Sequence, residues 1–384
     1  MRKLRTILVP IAALSLVAAA CGSDEGGDDT ADDGGDDTEQ TAEPADDAGD
    51  DAGSDDAGDD AGDDADSADA GDDDAGGDDA DSADASGDDT VDATQGSDLT
   101  FHMVTHSDDG PFWSVVQRGM EAACSDLGVN CVWAGSNNDP GVQVQLIETA
   151  IAEGVDGIAS SLPSPDQLVG PLQNAVGQGI PVITLNSGVN QYQDIGALTH
   201  VGQTEFIAGQ GAGERFNDLG ATKVFCGRQE ESNVALEERC DGLADTFSGE
   251  VVSEFVGLDA DQTAQQNAIS AAMQADPDID GFMGTGPVIA VSGLNAANDL
   301  GRELAGIGGF DITPEIITAI DNGEIAFTVD QQQYVQGYMP ILLLYLNVTN
   351  LNTVGGGQPI LTGPGFVTPE NAAEVAALVD AGTR

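Results

Sequence analysis

Positive charge is scarce in this chain. Its 384 residues hold 10 Lys and Arg against 69 Asp and Glu, and neither Lys nor Arg occurs between Arg5 and Arg118. So few cationic groups cannot track a phosphate backbone or coat an anionic membrane, which excludes nucleic acid and acidic lipid surfaces as partners. They also argue against a polyanionic ligand. Aromatic residues make up only 4%, and the first of them is Phe101. The three histidines, His102, His106 and His200, are not spaced as ligands, and the five cysteines form no C-x-x-C, so neither a metal nor another cofactor is expected.

What the chain does have begins at its N-terminus. Arg2, Lys3 and Arg5 precede the apolar run Ile7–Val17, and Ala18-Ala19-Ala20 lead to Cys21. Basic, apolar and small-residue regions in that order read as a secretory signal peptide over residues 1–20, with a run too short for the roughly 20 residues of a membrane span. A Cys at the first mature position resembles a bacterial lipoprotein signal, in which the thiol carries a lipid, although Ala18 stands where such signals usually have Leu. Ordinary cleavage leaving a free thiol is the alternative. Lipidation of Cys21 would keep the protein extracytoplasmic and lipid-anchored to the outer face of the cell membrane, or periplasmic.

Residues 21–98 consist mostly of Asp, Gly, Ala, Ser and Thr. Of the 69 acids, 33 lie between Asp24 and Asp98. Such a segment cannot bury enough apolar surface to offset the entropy of ordering, so it reads as a disordered linker. About 75 residues of flexible chain would span roughly 50 Å. The remainder carries 36 acids against seven Lys and Arg. At about 285 residues it exceeds one ordinary core, so two lobes are expected.

From Leu99 onward, short apolar strands alternate with amphipathic helical stretches, which implies βαβ units and parallel sheets. Nine strands are expected, beginning with Leu99–Val104, Val129–Ala134, Gly157–Ser160, Pro181–Leu185 and Lys223–Cys226. They continue with Val251–Val256, Gly281–Met283, Gly306–Phe310 and Ala326–Val329. Two doubly wound halves fit this α/β pattern better than an eight-stranded barrel, the second choice. Cys124, Cys131, Cys226 and Cys240 allow three disulfide connectivities, and their spacing favours the local pairs Cys124–Cys131 and Cys226–Cys240.

Open α/β sheets bind ligands beyond the carboxyl ends of their strands. After the expected strands stand His106 to Trp113 (with Asp108, Asp109 and Phe112), Ser160-Ser161, Asn186-Ser187, Arg228-Gln229-Glu230, Gly284-Thr285-Gly286, Asp311, and Asp330-Gln331. Planar amides and carboxylates can each engage two hydroxyls, and an aromatic ring can pack on a C–H face, which together suit a sugar or polyol. For Phe112 and Trp113 the competing reading is core packing at a helix start, and for Asp311 a helix cap or turn before Pro314.

Several segments taken in order carry a family resemblance: GPFWSVVQRGMEAACSDLGV, GVDGIASSLPSPDQL, GIPVITLNSG, HVGQTEFIAGQGAGE, LEERCDGLADTF and IGGFDITPEIITAIDNGEIAFTVDQQ. From about Leu99 to Arg384 the chain resembles the solute-binding lipoproteins of bacterial ABC importers, of the ribose- and galactose-binding (type I periplasmic binding protein) kind. The resemblance implies two Rossmann-like lobes joined by three crossings, near Val201–Thr204, Gln331–Tyr334 and Val354–Ile360, with the ligand between them. The N-terminal lobe would hold 99–203 and 332–355, the C-terminal lobe 204–331 and 356–384. It implies cleft roles for Phe112, Trp113, Asn186, Arg239, Asp311 and Gln331, with Asp109 and Ser161 added from their places after strands. Asn186 stands where many sugar binders have Asp, and Gly284-Thr285-Gly286 where an Asn-Asp pair is usual. The ligand is thereby left open among pentoses, hexoses, deoxy sugars and linear polyols.

The expected function is capture of a neutral sugar or polyol by a monomer and delivery to an ABC permease. A sensor head that feeds a chemoreceptor or kinase would use the same cleft. An enzyme is disfavoured, because no G-x-S-x-G elbow occurs and His106 and His200 lack an evident nucleophile partner. Paired acids could still serve a carbohydrate-active enzyme. The run Gly209-Gln210-Gly211-Ala212-Gly213 lacks the third glycine of a dinucleotide fingerprint and reads as close helix packing.

Overall fold

A computed structural model describes residues 98–108 and 110–384. Cys21, the signal and linker segments and Asp109 therefore lie outside the described residues. The first sheet collects β1 (Thr100–Thr105), β2 (Asn130–Gly135), β3 (Gly157–Ser160), β4 (Val182–Asn186) and β5 (His200–Gly202). The second collects β6 (Lys223–Arg228), β7 (Glu250–Phe255), β8 (Gly281–Gly284), β9 (Gly306–Phe310) and β10 (Phe327–Asp330). Two late strands split between them: β11 (Ile360–Leu361) joins the first sheet and β12 (Gly365–Val367) the second. The orders are β11-β5-β4-β3-β1-β2 and β12-β10-β9-β8-β6-β7, all parallel except the β10–β12 pair. Two open sheets replace the barrel alternative.

The helices are α1 (Gly110–Leu127), α2 (Pro140–Glu153), α3 (Pro165–Gly177), α4 (Tyr192–Ile195), α5 (Glu205–Leu219) and α6 (Val234–Thr246). They continue with α7 (Gln262–Ala275), α8 (Pro287–Leu300), α9 (Pro314–Asp321), α10 (Gln333–Asn350) and α11 (Ala372–Ala381). Their limits follow local chemistry. At α2, Asp139 Oδ1 accepts the amides of Gly141 and Val142, Pro140 occupies the first turn, and Gly154 closes the helix in the left-handed region (φ 67°).

Each sheet is covered on both faces, and the strand period sorts the side chains. Met103, Ala159 and Ile183 join the cluster formed with α1 and α10, while their neighbours Val104, Ile158 and Val182 join the one formed with α2 and α3. In the second sheet Val224 and Cys226 pack toward α5 and α6, and Phe225 toward α7, α8 and α9. Both expected disulfides are present: Cys124–Cys131 ties α1 to β2, and Cys226–Cys240 ties β6 to α6.

Two helix pairs approach so closely that backbone meets backbone. A Cβ on Gly337 of α10 would strike the Val116 carbonyl of α1, and one on Gly119 would strike that of Tyr334. Across α5 and α6, Gly209 faces the Arg239 carbonyl and Gly213 that of Leu243. The glycine-rich run of α5 thus serves helix packing.

The chain passes between sheets at 203–204, 331–332 and 362–364. The third passage lies later than the expected 354–360, because Ile360 and Leu361 pair with Val201 and Gly202 before the chain leaves the first sheet. Ile360 and Leu361 thus pair with the first sheet, within the span that the expectation gave to the C-terminal lobe. Strand β5 was expected to be a crossing; three residues are too few to show a period. The passages are bound together: Gln332 Nε2 donates to the Thr362 carbonyl (2.7 Å), Gln336 Nε2 to Thr362 Oγ1 (3.1 Å), and Arg384 Nη2 pairs with Asp330 (2.7 Å).

Gly337→Ala should lower stability by about 1–3 kcal/mol, because backbone cannot yield as a side chain would. Gly170→Ala, at an exposed position of α3 with open space around it, should be neutral or stabilising by up to ~1 kcal/mol. Urea unfolding of both variants checks the contrast.

Candidate functional site

The carboxyl ends of both sheets face one cavity of about 300 Å³. Its wall takes His106, Phe112, Trp113 and Asn186 from the first-sheet side, and Gln229, Glu230, Asn233, Arg239, Asp311 and Gln331 from the second-sheet side and the second crossing. The volume lies at the small end of the range for ligand pockets. Of the expected residues, Phe112, Trp113, Asn186, Arg239, Asp311 and Gln331 come together here.

Phe112 and Trp113 occupy the first turn of α1 and meet edge to face, with centroids 4.9 Å apart. Trp113 is almost wholly buried and belongs to the first-lobe core, so for it the core and cavity readings both hold. Phe112 is half-buried and presents the freer ring. Asn186 ends β4 and Asp311 directly follows β9, with φ of 61° and 67°. Few side chains tolerate this left-handed geometry, Asn and Asp among them, and it turns each group from the strand toward the cavity.

Arg239 is fully engaged from behind. Its Nε and Nη2 donate to Glu205 Oε2 (2.6 Å) and Oε1 (3.1 Å), and Nη1 donates to the Thr285 carbonyl (2.6 Å). The guanidinium lies 4.3 Å from the Phe310 ring centroid. Its counter-charge is therefore Glu205. Thr285 carries Arg239 through its carbonyl, while its hydroxyl lies 2.6 Å from Gln229 Oε1 and 3.0 Å from the Gly227 carbonyl. The unusual Gly-Thr-Gly segment thus contributes a support for the arginine.

Asp311 is buried, and Gln331 Nε2 donates to its Oδ1 (2.7 Å). Gln331 is in turn held by Gln336, whose Nε2 donates to its Oε1 (2.8 Å). Burial pushes the Asp311 carboxyl up to about 7, against the pull of the Arg239 charge and the Gln331 hydrogen bond.

Ser161 was expected to contact ligand, yet it stands behind His106 and does not line the cavity. Its Oγ accepts the His106 amide (2.9 Å) and lies 2.9 Å from Nδ1. His106 itself packs edge to face on Trp113 at 4.8 Å, and burial holds its imidazole below the ordinary value. Its Nε2 lies 3.5 Å from Asn233 Nδ2 and 3.6 Å from Glu230. His106, Glu205, Gln229, Glu230 and Asn233 were not among the expected site residues. The strand-end rule points to His106, Gln229 and Glu230, whereas nothing in the sequence marks Glu205 as the arginine's partner.

Residues 101–350 match the model of the periplasmic binding protein domain. The xylose/arabinose-binding protein of Sulfolobus acidocaldarius is 30% identical over 286 residues, covering 70% of each chain. The chain belongs to the periplasmic binding protein family. The ribose import binding protein of Escherichia coli is 22% identical over 63% of this chain and 82% of its own. Among solved structures, a carbohydrate transporter protein of Acidothermus cellulolyticus in complex with myo-inositol superposes with a TM-score of 0.72. It is 37% identical and covers 74% of this chain and 99% of its own. These relatives are transport binding proteins. Among the described residues no helix is long and apolar enough to cross a membrane.

The pH dependence of stability should report Asp311. Between about 3.8 and about 7 the folded state keeps a proton that the unfolded chain releases. The Asp311 contribution to stability therefore falls as pH rises through that window and levels off above it. Asp311→Asn should remove this slope in denaturant titrations run across pH without added solute. An unchanged slope would assign the titration to another group.

Proposed function

We propose that the protein captures one neutral sugar or polyol per chain and hands it to an ABC permease. The supporting observation is the charge state of the cavity. Its one guanidinium is already paired with Glu205, and burial raises the Asp311 carboxyl in the same wall to about 7, so that about half of it is protonated at neutral pH. A neutral polyhydroxylated solute needs donors and acceptors, which Asn186, Gln229, Gln331, Asp311 and the outward N–H groups of Arg239 supply. The half-buried Phe112 ring offers a C–H-facing surface. A cavity of about 300 Å³ suits a single ring. The myo-inositol complex and the xylose-, arabinose- and ribose-binding relatives set the order of candidates, with cyclic polyols and pentoses first.

In this reading the protein binds and releases its solute without chemical change. It works as a monomer, and a lipid on Cys21 holds it outside the cell on the tether of residues 22–98. The two lobes are assigned to 99–203 with 332–361, and to 204–331 with 364–384.

Titration calorimetry with myo-inositol, xylose, arabinose, ribose and apiose tests the reading. One-to-one binding to at least one of them is expected. Phe112→Ala and Asp311→Asn should weaken it by roughly 5- to 150-fold, the cost of losing about 1–3 kcal/mol of buried contact. Arg239→Ala is a poor probe, because it strands the buried Glu205 charge and should cost about 3–5 kcal/mol of stability. Saturable binding of an anionic solute in preference to all five neutral ones would overturn the assignment.

A further inference from the structure

Three hydrogen bonds cross the cleft between residues that do not line the cavity. The Val234 amide donates to the Pro163 carbonyl (3.1 Å), Ser164 Oγ donates to the Ser232 carbonyl (3.1 Å), and Asn190 Nδ2 donates to Glu238 Oε1 (2.7 Å). Pro163, Ser164 and Asn190 sit on the loops that follow β3 and β4. Their partners all lie in the entry and first turns of α6. The same helix places Leu236 and Arg239 in the cavity wall, and Cys240 fastens it to β6. One rigid helix is therefore gripped by the opposite lobe on one face and exposed to solute on another.

We propose that this grip on α6 is an affinity-setting latch, with Asn190 and Glu238 as its side-chain pair. It rests on the reading that a solute held between the lobes favours their closed arrangement. A contact made only when the lobes meet raises the population able to hold solute, and the observed affinity scales with that population. Neither residue has to touch the solute. Glu238 is suited to the role because burial pushes its carboxyl up, while the Asn190 bond favours its charged form. Asn190 is exposed, so its replacement disturbs no packing.

The test is a double-mutant cycle on the full chain, with myo-inositol as the calorimetric probe. Asn190→Ala and Glu238→Ala should each weaken binding by about 2- to 10-fold, the range for one hydrogen bond. The double variant should be no weaker than the worse single one, and Glu238→Gln, which keeps an acceptor, should retain the parent affinity. Urea midpoints without added solute should move less than the affinity does, whereas a merely structural role would move both together. Additive losses, or midpoints that fall in step with affinity, would overturn the latch. If myo-inositol does not bind the parent chain, the solute reading is what fails. Pulsed electron-spin distances between nitroxide side chains at exposed Gln145 and Thr263, one on each lobe, then decide the latch. The alanine variants should shift to longer distances, and unchanged distributions would refute it.

Discussion

The buried pair of Arg239 and Glu205 organises the second lobe and its wall of the cavity. Two charges this deep are costly to desolvate, and they are tolerated because the pair is bidentate and a third arginine N–H is bonded to a carbonyl. The pair joins the start of α5 to the middle of α6, and the third arginine contact reaches the turn after β8. Such short bonds require the two helices to lie close. Gly209 and Gly213 on α5 and Gly242 on α6 permit this by leaving room for facing carbonyls. The Cys226–Cys240 bond, one residue beyond Arg239, fixes the helix against its sheet. The packing glycines, the disulfide and the ion pair are thus parts of one support, whose product is a guanidinium edge held at a set place in the cavity.

That support also decides what the cavity can recognise. A free buried arginine would attract an anion. One already matched to a bidentate carboxylate carries little net charge and acts as a fixed array of N–H donors. Asp311, in the same wall, can donate or accept according to its protonation. The left-handed backbone at Asn186 and Asp311 is a local cost accepted so that both side chains leave their strands toward the same space. The resulting site is polar, holds its one guanidinium paired with Glu205, and is walled by an aromatic ring on one side.

Much of the architecture could be read from the amino-acid pattern, because strands covered on both faces leave short uninterrupted apolar runs between helices. Most of the nine longer strands show this signal, and the edge strands β2 and β7, whose side chains are largely exposed or half-buried, show it least. Strands β5, β11 and β12 have only two or three residues, too few to show any period, and their pairing is decided by the crossings around them. The cavity residues at strand ends were legible for a similar reason: a parallel sheet gathers its carboxyl ends, wherever they lie in the chain. What remained hidden were relations across distance. Glu205 looks like an ordinary acid in a helix's first turn until α6 brings Arg239 against it. Ser161 follows a strand as ligand-contacting residues do, yet its hydroxyl is taken by the amide and ring of His106. Strand-end position narrows the candidates for the cavity wall, and only packing tells which of them reach it with a free hydrogen-bonding group.

Gln331 is the residue through which, in the proposed function, solute binding would be coupled to the arrangement of the lobes. Its amide nitrogen holds Asp311, and its oxygen is held by Gln336 at the start of α10. It stands at the second crossing, beside the third, where Thr362 accepts from both Gln332 and Gln336. A force on the Asp311 carboxyl is therefore felt directly by the chain that joins the lobes. A solute hydroxyl that competes with Gln331 for that carboxyl, or adds to it, changes the hydrogen bonding of the hinge itself. The site and the hinge share a residue, so a solute that binds well must be one whose contacts suit both.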